Sequence, residues 1–175
     1  MKFNKLALAA AMVLGTITSV QAANEGNGVV RFTGSIIDAP CSIDPNSADQ
    51  AIELGAVSSV ALVDGGNSTP KPFEIRLENC SIDVAKTVKT TFNGTAGASG
   101  LLGITGDASG AGIALTDGNG TSIELGTASA GQLISVGASE AILSYSAYLK
   151  GNGGAADTIV PGEFSSVANF MLTYN

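Results

Sequence analysis

Phe73, Ile75 and Leu77 alternate with Glu74, Arg76 and Glu78. Successive side chains of a strand point to opposite faces, so this run predicts a strand with one face buried and the other in water. The same short rhythm recurs along the chain. Gly28–Ile37 (GVVRFTGSII) is rich in β-branched residues, Gln50–Leu54 (QAIEL) alternates, and Thr87–Phe92 is rich in Thr and Val. Ile142–Lys150 (ILSYSAYLK) alternates again, and Ala168, Phe170, Leu172 and Tyr174 share one face near the end. Ile113 and Leu115 on one side of Asp117–Gly120 (DGNG), with Ile123 and Leu125 on the other, read as a hairpin around a tight turn. Only 138–150 has a length and composition that a helix could use, and its Ser/Tyr alternation favours a strand. Residues 94–111 (GTAGASGLLGITGDASGA) read as a long loop or a weak strand. Many short strands separated by turn residues define an all-β, antiparallel sandwich.

The chain has 175 residues, room for one such domain. It has no histidine and no tryptophan. Ser-His-Asp triads, Cys-His dyads and imidazole metal sites are therefore excluded. With 8 Lys+Arg against 15 Asp+Glu and a net charge of −7, it lacks the basic surface on which nucleic-acid affinity depends. Charged residues are only 13% of the chain, half the usual share, which predicts an apolar, ordered protein.

The first residues read as an address. Lys2 and Lys5 precede a nine-residue apolar run, Leu6–Leu14, and Val20–Ala22 (VQA) is a small-x-Ala cleavage site. The run is far shorter than the roughly 20 residues that span a bilayer. Cleavage after Ala22 leaves residues 23–175 and moves the formal charge from −7 to −9, because Lys2 and Lys5 leave with the signal. Both cysteines, Cys41 and Cys80, remain. An even count in an exported chain favours a disulfide, and no CxxC spacing or histidine supports a metal or redox pair.

Several motifs fail their own tests. Gly151–Ala156 (GNGGAA) matches the dinucleotide fingerprint G-x-G-x-x-A, but Pro161 cuts short the helix it needs, and no acid can follow at the required distance. A calcium loop starting at Asp117 would place Ser122 where Gly is needed and Ala128 where Glu is needed. No nucleophile elbow or phosphate loop is present. The residues propose no catalytic, cofactor or metal site.

The two ends carry more information. Asn24, Gly26, Gly28, Val30 and Phe32 fall on one face of an extended strand placed ahead of the first cysteine. The segment reads either as the first strand of the sandwich or as a strand meant for another molecule.

Here the sequence resembles a known family, the structural pilins of chaperone–usher fimbriae of the type 1 or P-pilus kind. Gly28–Ile43 (GVVRFTGSIIDAPCSI) is similar to the segment that runs from the family's N-terminal extension into its first cysteine. Leu77–Cys80 (LENC) resembles the second-cysteine motif. Gly162 stands fourteenth from the end and Tyr174 is penultimate, with Phe170 and Leu172 at alternate positions between them, as in the family's C-terminal pattern.

The resemblance implies an incomplete immunoglobulin-like β-sandwich that lacks its last strand and is completed by a donor strand from a neighbouring subunit. It implies a signal peptide at 1–22, a donor-strand extension at 23–35 and a pilin domain at 36–175. Gly26, Gly28, Val30 and Phe32 would enter the neighbour's groove. Gly162, Ala168, Phe170, Leu172 and Tyr174 would form the edge that a periplasmic chaperone holds first, and Cys41 would pair with Cys80. The implied partners are identical or related pilin subunits, that chaperone and an outer-membrane usher, with no nucleic acid. The implied product is an extracellular adhesive fimbria, with this chain as its major shaft subunit. Two other readings stand beside it: a minor or adaptor pilin, and a self-contained exported sugar-binding sandwich. A secreted enzyme has no supporting residue.

Overall fold

The computed structural model describes residues 28–34 and 36–175. The signal segment 1–22 and the donor-strand position Gly26 lie outside the described residues. The chain divides into two units at Ile36/Ile37, and each is treated separately.

In the larger unit the elements are β1 (Ser42–Ile43), α1 (Pro45–Ala48), β2 (Lys71–Glu78), β3 (Lys86–Gly94), β4 (Thr105–Gly106) and β5 (Ala111–Asp117). They continue with β6 (Ser122–Ile123), β7 (Gln132–Ile134), β8 (Ala141–Gly151), β9 (Phe164–Ser165) and β10 (Ala168–Tyr174). One sheet has the order β1-β2-β8-β5-β6 and the second β10-β3-β7, while β4 and β9 pair apart. Every pairing is antiparallel.

The alternation of β2 works as the sequence implies. Ile75 and Leu77 are fully buried, while Glu74 and Arg76 face solvent and form an ion pair at 2.9 Å. β8, also alternating, places Leu143, Tyr145, Ala147 and Leu149 inward against Val88 and Phe92 of the opposite sheet, in one core. The hairpin forms as expected, with Leu115 opposite Ile123. Its turn is held by Asp117, whose carboxylate accepts from the backbone N–H of Asn119 at 2.9 Å and of Thr121 at 2.8 Å. Gly120 has φ 82°, a conformation that glycine adopts without the usual side-chain penalty.

Three segments differ from their sequence reading or, as at 94–111 where the weak-strand alternative holds, refine it. Gln50–Leu54 forms no strand among the described residues, although Leu54 packs against the core. Alternation marks a segment able to pair and does not supply its partner. The stretch 94–111 is more structured than a loop: it contains β4, and Leu102 is buried and exchanges backbone hydrogen bonds with Ile113 at 2.9 and 2.8 Å. The single turn α1 has a local cause that the sequence reading passed over. The Asp44 carboxylate accepts from the Asn46 N–H at 2.8 Å, and Pro45 occupies the first helical position, where a missing N–H costs nothing.

In the smaller unit, residues 28–34 form no strand. Val30 is 75% exposed and Phe32 90%.

Candidate functional site

The site is built on β10. Its residues pair with β3 from Ala168 opposite Gly94 to Tyr174 opposite Val88. Asn175 extends the ladder by exchanging hydrogen bonds with Thr87 at 2.8 and 3.0 Å. Because β10 is the outermost strand of its sheet, its other side pairs with no strand among the described residues. A row of free N–H and C=O groups on a long edge is a template for another chain.

The side chains of β10 alternate about that edge. Phe170, Leu172 and Tyr174 turn toward the core but stay half-buried, whereas Asn169, Met171 and Thr173 are exposed. Ala168, at the start of the strand, is exposed as well. Phe170 lies against Phe92, with ring centroids 6.4 Å apart. Phe92 in turn stands edge-on to Tyr145 at 5.3 Å and to Phe73 of β2 at 6.2 Å. Phe73 is half-buried too. Phe73 of one sheet and Phe170 of the other are therefore only half-covered, each in contact with the buried ring of Phe92. Phe73 and Phe92 had not stood out in the sequence, where each is one apolar position in an alternating run. Burial raises the Tyr174 hydroxyl above its usual pKa, so it stays neutral well into the alkaline range.

Beneath the edge, the two sheets are joined by a polar contact. The Tyr145 hydroxyl lies 2.6 Å from Thr90 Oγ1, and Tyr145 and Thr90 are 2% and 0% exposed. Burial raises the Tyr145 pKa, outweighing the hydrogen bond with Thr90 that lowers it.

Cys41 and Cys80 are bonded, which ties the residue before β1 to the end of β2. Around the bond, the Cys80 N–H donates to the Ser139 carbonyl at 3.0 Å and the Ser81 N–H to the Pro40 carbonyl at 2.8 Å. Gly162 lies outside β10, just before β9. A Cβ there would sit 2.8 Å from the Ala108 nitrogen, so a close backbone approach requires glycine at this position. At Gly28 a Cβ would meet nothing within 4 Å in this chain.

The glycine-rich run after β8 leads into a 3-10 turn of three residues, Ala156–Thr158, which is too short to cradle a pyrophosphate. Among the described residues no group of three or more His, Cys, Asp or Glu is placed to hold a metal.

A β-sandwich whose last strand leaves an unpaired edge and a half-covered apolar row is a strand-deficient, immunoglobulin-like subunit. The comparisons agree with this class. The fimbrial protein family profile matches residues 30–175. The Fimbria A protein of Serratia marcescens is 52% identical over 176 residues, covering 99% of each chain. The Major MR/P fimbria protein of Proteus mirabilis is 46% identical over 178 residues, again 99% of each. Among solved structures, the P pilus rod subunit PapA superposes with a TM-score of 0.65 and 35% identity, over 78% of this chain and all of that one. A chaperone–usher pilus structure concerned with rod uncoiling superposes with a TM-score of 0.68 and 35% identity, over 86% and 97% of the two chains. The chain belongs to the fimbrial protein family.

Proposed function

We propose that this chain is the major structural subunit of an adhesive surface fimbria and polymerises by donor-strand exchange. Residues 1–22 direct export, residues 23–35 are the donor extension, and residues 36–175 are the domain that receives a neighbour's extension. Gly26, Gly28, Val30 and Phe32 enter the groove beside β10. Before assembly, a periplasmic chaperone occupies that edge by pairing with the strand that carries Ala168, Phe170, Leu172 and Tyr174, and an outer-membrane usher receives the complex. Gly162 shapes the approach to β9 that leads into β10. The role is structural, as in the family, with no catalysis.

The observation that carries this reading is a complementarity within one sequence. One segment exposes Val30 and Phe32 at alternate positions, while β10 offers an unpaired edge with Phe170, Leu172 and Tyr174 half-covered. Each is what the other lacks, yet one chain joined to itself in this way would close a ring of one. Used between copies, the contact is head-to-tail and grows without limit.

The test is a displacement experiment on the chaperone-bound full-length subunit. A peptide of residues 23–33 should release the chaperone and leave a complex that resists SDS. The same peptide with Phe32→Asp should do neither. Failure of the unmodified peptide to displace the chaperone would overturn the reading.

A further inference from the structure

Three Asn–Gly pairs fall within the described residues, and the backbone treats them differently. This dipeptide is prone to cyclise because glycine has no side chain to hinder attack by its own backbone nitrogen on the preceding asparagine side chain. Asn93–Gly94 ends β3 beside β10, with Asn93 opposite Asn169 and Gly94 opposite Ala168; the ladder holds Asn93 in extended backbone, while Gly94 falls at a non-hydrogen-bonded position of the register that the Thr87–Asn175 pair sets. Asn119–Gly120 lies in the β5–β6 turn. There the Gly120 N–H donates to the Asp117 carbonyl at 2.9 Å and the Asn119 N–H to the Asp117 carboxylate at 2.9 Å. Asn152–Gly153 is exposed in the loop after β8. The Asn152 N–H donates to the Gly110 carbonyl at 2.9 Å, but the Gly153 N–H donates no hydrogen bond among the described residues, and neither does the Asn152 amide.

We propose that Asn152 is a site of spontaneous deamidation and that this loop records the age of each subunit. The Gly153 nitrogen attacks Asn152 Cγ, forming a C–N bond. The C–NH2 bond breaks and the nitrogen leaves as ammonia, its third hydrogen being the backbone amide proton relayed through solvent. Water then opens the succinimide at either carbonyl, giving aspartate or isoaspartate. No oxidant or enzyme takes part. The product adds one negative charge to a loop that already carries Asp157 and whose Gly154 carbonyl accepts from the Asp64 N–H at 3.1 Å. Isoaspartate also lengthens the backbone by one methylene beside that contact. The chemistry is independent of how the subunits assemble.

The free Gly153 N–H should react at least about fivefold faster than the Gly120 N–H, the Boltzmann weight of one typical hydrogen bond. The purified protein is held at body temperature and mildly alkaline pH, then digested and mapped by mass spectrometry for amide-to-acid conversion. A parallel sample in urea gives the intrinsic reactivity of each pair. In the native sample Asn152 should convert ahead of both Asn119, whose glycine N–H is engaged, and Asn93, held extended in the ladder, while in urea the three rates converge. Asn152→Gln, which keeps the amide but cyclises poorly, should diminish the early acidic band on isoelectric focusing. Native Asn152 reacting no faster than Asn119, or an unchanged acidic band in Asn152→Gln, would overturn the proposal.

Discussion

Replacing Phe32 by aspartate separates a strand that serves a neighbour from one that serves its own domain. Phe32 is 90% exposed, so the substitution removes little packing from the chain that carries it. In a neighbour's groove the account is different. Burying a phenylalanine contributes roughly 1.5–3 kcal/mol, and an unpaired carboxylate in its place adds a desolvation cost of similar or greater size. Together the change is on the order of 5 kcal/mol, nearly four orders of magnitude in groove occupancy. Fibres should disappear from electron micrographs, and the SDS-resistant ladder should collapse to monomer, while the yield of chaperone-bound subunit stays at wild-type level. Gly28→Leu should behave the same way, because a side chain at Gly28 meets nothing in its own chain and can clash only in a partner. Val29→Thr, on the opposite face, should be mild. Fibres of normal length from Phe32→Asp would refute the reasoning. So would a fall in chaperone-bound subunit, which would make the segment the protein's own first strand.

Other outcomes follow from the domain itself. Cys80→Ser should sharply lower periplasmic accumulation, because closing a loop with a separation of 39 contributes about 4 kcal/mol of unfolded-state entropy; quantitative immunoblotting reads this. Tyr174→Ala should weaken chaperone capture and leave the subunit to proteases, which co-purification measures against the wild type. Tyr145→Phe leaves the Thr90 hydroxyl buried without its partner and should cost about 1–3 kcal/mol in urea unfolding at neutral pH. The raised Tyr145 pKa also predicts that wild-type stability, complete below the ordinary tyrosine value of about 10, declines as pH climbs through the folded value. The unfolded chain then releases a proton that the folded one holds, and Tyr145→Phe should flatten that decline.

Much of the sandwich was legible because burial writes itself into period-2 patterns. Ile75 and Leu77 against Glu74 and Arg76, and Phe170, Leu172 and Tyr174 against Met171 and Thr173, fall on the faces that alternation assigns. Where the pattern misled, a partner was missing from the information. Gln50–Leu54 has the right alternation and no strand beside it. Leu102 sits in a run of Gly, Ala and Ser too short of apolar residues to announce itself, and it is buried through long-range bonds to Ile113. The Thr90–Tyr145 contact was illegible for a related reason. A hydroxyl in an alternating strand reads as a surface residue until the opposite sheet supplies its match. At the candidate site, β10 could be read from its own residues, but the aromatic floor of Phe73 and Phe92 comes from two other strands and exists only in three dimensions.

The bond between Cys41 and Cys80 also decides how the molecule carries load. In the proposed fibre, tension on one subunit arrives through its extension and reaches Cys41 just ahead of β1. That strand pairs at only two positions, Ser42 with Glu78 and Ile43 with Leu77, and by itself would peel away one bond at a time. The disulfide passes the pull covalently to the end of β2. β2 is held against β8 from Lys71 to Leu77, so force along it must break that ladder in shear, all its bonds sharing the strain. In the proposed fibre β1, paired at two positions only, is thus taken out of the line of force, and a pull on the filament loads the longer β2–β8 ladder instead.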